Sequence, residues 1–66
     1  MKICNFVEWE LQKFRDECNF TDRELEYFNL KAKDKTNVQI SIAMCLSESS
    51  VEKLGKKVRK KMLKIL

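Results

Sequence analysis

The sequence has no proline, no histidine and only one glycine. Without histidine it lacks the side chain most often used for proton transfer at neutral pH and for holding transition metals. A glycine-rich phosphate loop is also missing, and the carboxylates sit on expected helix surfaces or caps, so no catalytic constellation forms. The chain is therefore read as a non-enzyme that needs no cofactor. Cys4, Cys18 and Cys45 are odd in number and widely spaced, with no CxxC pair. They encode neither a disulfide framework nor a zinc site, and are read as small buried apolar residues in a reducing compartment. No apolar run approaches the roughly 18 residues of a membrane span. The amino terminus, MKICNFVEWE, reaches acidic residues too early for a signal peptide. A soluble, cytoplasmic protein with no membrane partner is expected.

What is present favours helices. Hydrophobic residues make up 44% and charged residues 36% of the chain, and with so few helix breakers this composition implies helices joined by short turns. At 66 residues a stable core is only just within reach. The expected fold is all-α: a small bundle of about four helices forming one domain over residues 1–66. Residues 1–19 supply an amino-terminal helix and residues 20–66 a helix-turn-helix unit. Charge is divided along the chain, with six basic and eight acidic side chains in residues 1–34 (net −2) against eight and two in residues 35–66 (net +6). That split draws polyanions to one half of the molecule.

Apolar spacing places the helices. Val7, Leu11, Phe14 and Cys18 form one stripe of a helix from about Asn5 to Cys18, and Trp9 falls nearly opposite, either filling a second contact or lying exposed. Thr21 and Glu24 make a capping box, Phe20 can staple onto Leu25, and Leu25, Phe28 and Ala32 give the buried face of the second helix. Thr36 and Gln39 make another box for a short helix whose apolar side is Ile40, Ala43 and Met44. After a break near Cys45-Leu46, Ser47 caps a last helix that buries Val51, Leu54, Val58, Met62 and Ile65 and can run almost to Leu66. Phe6, Phe14, Phe20, Tyr27 and Phe28 are read as core aromatics. A short helix, a tight turn and a longer capped helix make a helix-turn-helix.

These residues carry a family resemblance. The run Phe20-Thr21-Asp22-Arg23-Glu24-Leu25-Glu26, then Ala32, Thr36-Asn37-Val38-Gln39-Ile40, Leu46-Ser47-Glu48-Ser49-Ser50-Val51, Val58 and Lys61-Met62 resembles the LuxR/GerE type of helix-turn-helix over residues 20–62. Region 4 of the sigma-70 family, a related helix-turn-helix, shares much of the pattern. The resemblance implies a DNA-binding transcription regulator whose recognition helix begins after Ser47. Three departures stand out. Asp34 replaces the usual glycine, Glu52 a basic residue, and Leu54 a histidine. Family members commonly continue into a dimerising fourth helix; this sequence stops at Leu66, and its amino-terminal helix is expected to take over that packing role.

On this reading Ser49, Glu52, Lys53 and Lys56 meet base edges, with the two lysines suited to the acceptor edge of guanine. Ser50, Lys57 and Lys60, together with Thr36 and Asn37, suit phosphate. Gly55 either lets backbone approach the duplex or is merely tolerated. Taken alone, Lys56-Lys57-Val58-Arg59-Lys60-Lys61 is equally a solvated helix face. The expected partner is double-stranded DNA, bound by a homodimer or beside RNA polymerase, with Trp9 as an interface anchor. The competing reading is a protein-interaction module that uses the Glu52-bearing helix to hold a polymerase subunit or another regulator.

Overall fold

A computed structural model describes residues 2–66. A 3-10 turn, Ile3–Asn5, leads into α1 (Glu8–Glu17), α2 (Asp22–Ala32), α3 (Asn37–Met44) and α4 (Glu48–Leu63), and among the described residues there is no strand. The all-α expectation holds.

Each of the three later helices starts on the cap foreseen from sequence. The Thr21 hydroxyl accepts from the Glu24 amide at 3.3 Å while Glu24 Oε1 accepts from the Thr21 amide at 2.9 Å. Thr36 and Gln39 repeat the exchange at 3.2 and 2.9 Å, and Ser47 accepts from the Ser50 amide at 3.2 Å. These bonds satisfy donors that a helix start otherwise leaves unpaired. The first helix differs from expectation. Glu10 Oε1 accepts from the Val7 amide at 3.1 Å, which fixes Val7 as an extended residue ahead of α1 rather than a residue within it. Its side chain consequently leaves the stripe and is exposed, and Ile3 and Phe6 join the core from the preceding turn.

The core gathers Ile3, Leu11, Phe14, Cys18, Tyr27, Phe28, Ile40, Val51, Val58 and Met62. Phe28 lies at its centre, with the rings of Phe14 and Phe20 at 6.2 and 5.1 Å; Phe6 meets Phe14 edge-on at 5.1 Å. Arg15 clasps α1 to α2. Its guanidinium lies 5.6 Å from the Phe28 ring centroid, donates to Asn29 Oδ1 at 2.9 Å and pairs with Glu8 at 3.1 Å. Three expected burials are corrected. Leu25 is half-buried and does not pack against the core, because α2 turns Glu24, Tyr27 and Phe28 inward instead. Ala43 is exposed, since only Ile40 and Met44 of α3 reach the core. Cysteine burial holds for Cys18 alone: Cys4 is half-buried and Cys45 exposed.

The connections use left-handed residues other than glycine: Asn19 (φ 55°), Asp34 (φ 61°) and Cys45 (φ 55°). Asp34 sits where the family has glycine, and it still closes a Schellman turn. Its amide donates to Lys31 O at 2.9 Å and the Lys35 amide to Leu30 O at 3.2 Å. Asparagine and aspartate accept this conformation readily; cysteine pays for it. Cys45→Gly is expected to raise stability by about 0.5–1 kcal/mol, after glycine's own entropy loss is deducted. A chemical denaturation midpoint shifted upward at unchanged slope is the measurement that checks this.

The second stabilising feature is ionic. Glu24 is only 3% exposed, and its Oε1 accepts from Lys61 Nζ at 2.5 Å, while the same ammonium donates to Asn19 O at 3.2 Å. The pair ties the start of α2 to the last turns of α4. Burial pushes the Glu24 carboxyl up, but the bonds from Lys61 and from the Thr21 amide and hydroxyl outweigh it and hold the group below the usual glutamate range. A depressed folded pKa contributes stability above the unfolded value, near pH ~4.3, and that contribution is lost as pH falls through the folded value. Lys61→Met is expected to cost about 2 kcal/mol at neutral pH, less than a fully buried pair because Lys61 remains 32% exposed. Glu24→Gln is expected to flatten the acid limb of the stability curve, read as thermal midpoints between neutral pH and pH ~3.

Candidate nucleic-acid interface

Helix α4 has two faces set by its packing. Val51, Gly55, Val58 and Met62 are buried, and Leu54 packs partly against the core. Ser49, Glu52, Lys53, Lys56, Lys57 and Lys60 are exposed. At about 100° per residue, Ser49, Lys53, Lys56 and Lys60 fall within a stripe about 60° wide opposite the buried positions. Ser50 and Lys57 flank that stripe on one side and Glu52 on the other. The carboxylate at position 52, where a basic residue is usual, thus stands at the edge of the cationic stripe rather than in it.

Among the described residues only Arg15–Glu8 and Lys61–Glu24 form ion pairs. The outward lysines of α4 therefore keep their full field for an external anion. Next to them lies a shallow groove lined by Arg23 of α2, Leu46, Ser50, Lys53, Leu54 and Lys57. Arg23 was not singled out from sequence. Its position one residue after the Thr21-Asp22 start of α2 was the available signal, since a helix start aimed at the same groove as Lys53 and Lys57 adds a third cation with no acid opposing it.

The other sites divide. Thr36 is exposed at the start of α3, where its amide and hydroxyl are engaged by Gln39. Asn37 is half-buried, and its Oδ1 is buried with no hydrogen-bond partner among the described residues. The Ser50 amide donates to Ser47 Oγ, and the Ser47 hydroxyl donates to Ser50 Oγ at 3.1 Å. Trp9 stands apart from all of these. It is 70% exposed on α1 and shares a hollow with Phe14, Ile65 and Leu66, so the alternative of core burial is set aside.

The family match says what kind of domain carries this surface. A model of the bacterial regulatory proteins of the luxR family, GerE, matches residues 18–63. The chain belongs to the luxR family. No curated protein and no solved structure matches it. In this family the helix-turn-helix is a DNA-binding regulatory domain, and the match spans α2, the α3–α4 pair and the cationic face just described. Among the described residues no helix is long and apolar enough to cross a membrane.

How this luxR-family chain seats α4 is visible at Gly55. The residue faces the core, which excludes the earlier idea that it gives the duplex close approach. A Cβ built there would lie 2.6 Å from Tyr27 Oη and 3.1 Å from Tyr27 Cζ. Glycine is thus the one residue that lets the buried Tyr27 ring press against the α4 backbone. An alanine would gain about 1 kcal/mol of helix propensity but would displace a ring held in a packed core. Gly55→Ala is therefore expected to destabilise the fold by about 1–2 kcal/mol net, and Gly55→Ala combined with Tyr27→Leu to cost less than the sum of the two single changes; thermal unfolding of all three variants tests the pairing.

Proposed function

We propose that this luxR-family chain is a sequence-specific transcription regulator of the cytoplasm that lays α4 in the major groove of double-stranded DNA. The observation that carries the reading is the stripe of Lys53, Lys56 and Lys60, unpaired among the described residues, on the helix whose other face is core. A groove about 12 Å wide admits such a helix with its amino-terminal turns toward the bases. Lys53 and Lys56 take the acceptor edge of guanine, Ser49 a neighbouring base, and Glu52, at the stripe's edge, a cytosine amino group. Ser50, Lys57, Lys60, Thr36 and the Asn37 amide nitrogen contact phosphate, and Arg23 joins them across its groove. Two copies bind together through the surface around Trp9.

Selection from random duplexes at two salt concentrations is expected to enrich one sequence, with affinity falling steeply as salt rises. Charge reversal at Lys53 and Lys56 is expected to abolish the preference, while Arg23→Ala weakens all duplexes alike and lowers the salt slope by about one. If no sequence is enriched and the reversed variant binds as before, the reading fails. The protein-interaction alternative then stands, with the Glu52-bearing α4 holding RNA polymerase or a second regulator.

A further inference from the structure

A second cationic site lies on the flank of the molecule, where the amino-terminal turn, the end of α2 and α4 meet. Lys2 and Cys4, Tyr27 and Lys31 of α2, Asp34, and Arg59 of α4 line a pocket of about 110 Å³. At about 100° per residue, Arg59 points roughly 100° away from Lys60 on the DNA-facing stripe. The pocket is thus separate from the surface assigned to DNA.

Three observations make it a binding site rather than a gap. Its lining carries three cations, Lys2, Lys31 and Arg59, against the single carboxylate of Asp34, and none of the three has an ion-pair partner among the described residues. Asp34 Oδ1 accepts from the Cys4 thiol at 3.4 Å and keeps its charge, so the lining carries a net +2. Tyr27 lines the pocket with only 3% of its surface exposed, and its hydroxyl, which is not sealed from solvent, makes no hydrogen bond among the described residues. Over Gly55 that hydroxyl and Arg59 Nη2 converge on one point, at 2.6 and 3.6 Å from the place a Cβ would occupy. Burial also keeps the phenol in its protonated, donating form, against the opposing field of Arg59.

We infer that this pocket binds a small phosphate-class oxyanion, with the Tyr27 hydroxyl and the Arg59 guanidinium donating to it and Lys2 and Lys31 closing over it. The volume is well below the roughly 300–1,000 Å³ of pockets that enclose larger organic ligands, which restricts the occupant to a compact ion. Guanidinium and hydroxyl donors side by side suit tetrahedral oxygens, and each charge-assisted bond is about twice as strong as a neutral one. Bound there, the ion links the amino-terminal turn, α2 and α4, so occupancy couples to the stability of the whole fold.

The test is titration of the full chain with inorganic phosphate at constant ionic strength, followed by thermal midpoint and by amide chemical shifts. A saturable rise in midpoint is expected, with shifts centred on Tyr27, Lys31 and Arg59. Tyr27→Phe, which preserves the ring, and Arg59→Gln, on an exposed side chain, are each expected to weaken the response by about tenfold. A short duplex added to the phosphate-loaded protein is expected to move the Lys53 and Lys56 amides and leave the pocket's shifts in place. Absence of saturation, an undiminished response in both variants, shifts centred on Lys53 and Lys56, or displacement of phosphate by duplex would each overturn the assignment.

Discussion

The geometry of the molecule depends on one buried carboxylate. Glu24 caps its own helix through the Thr21 amide and at the same time accepts from Lys61, in the last turn of α4. One oxygen thus terminates α2 and fixes where α4 crosses it. Lys61 extends the link to the carbonyl of Asn19, the left-handed residue that turns the chain out of α1. A buried charge held by hydrogen bonds is costly to disrupt, so the two helices that carry half of the core residues are held in one register. Desolvation alone would favour the neutral acid, and the bonds reverse that preference.

The single glycine serves the same contact. Left-handed corners, the usual place for glycine, are taken here by Asn19, Asp34 and Cys45. Gly55 instead lies in the middle of α4 under the Tyr27 ring. The chain accepts backbone strain at its corners and weaker helix propensity in α4, and in exchange α2 and α4 approach closely. That approach is what turns one side of α4 into core and leaves the opposite side free.

The electrostatic division follows from this packing. Arg15 and Lys61 are spent on ion pairs inside the structure, while the outward lysines of α4 and Arg23 have no such partner among the described residues. The net +6 of the second half of the sequence is therefore displayed mainly on one helix and the groove beside it, where a polyanion meets it without first breaking internal bonds. Arg59 belongs to a different flank, with Lys2 and Lys31 around the Tyr27 hydroxyl. The same run of basic residues, read as one patch in sequence, serves two surfaces because a helix turns about 100° per residue.

Caps, stripes and the last helix were legible in the sequence because they depend on residues three or four positions apart. Thr21 with Glu24, Thr36 with Gln39 and the Ser47 cap are local hydrogen bonds, and the 51-58-62 stripe is local periodicity. The family pattern over residues 20–62 rests on the same short-range spacing. Tertiary structure alone decided what depends on distant partners. It exposed Ala43 and Cys45, turned Glu24 rather than Leu25 inward, and brought Lys61 to Glu24 across 37 positions. It also gave Gly55 its role, since the Tyr27 ring that needs the space is on another helix, and it grouped Arg23 with Lys53 and Lys57. Local spacing determined that these helices form; which atoms they bring together was set by long-range packing, whose partners no short window of sequence contains.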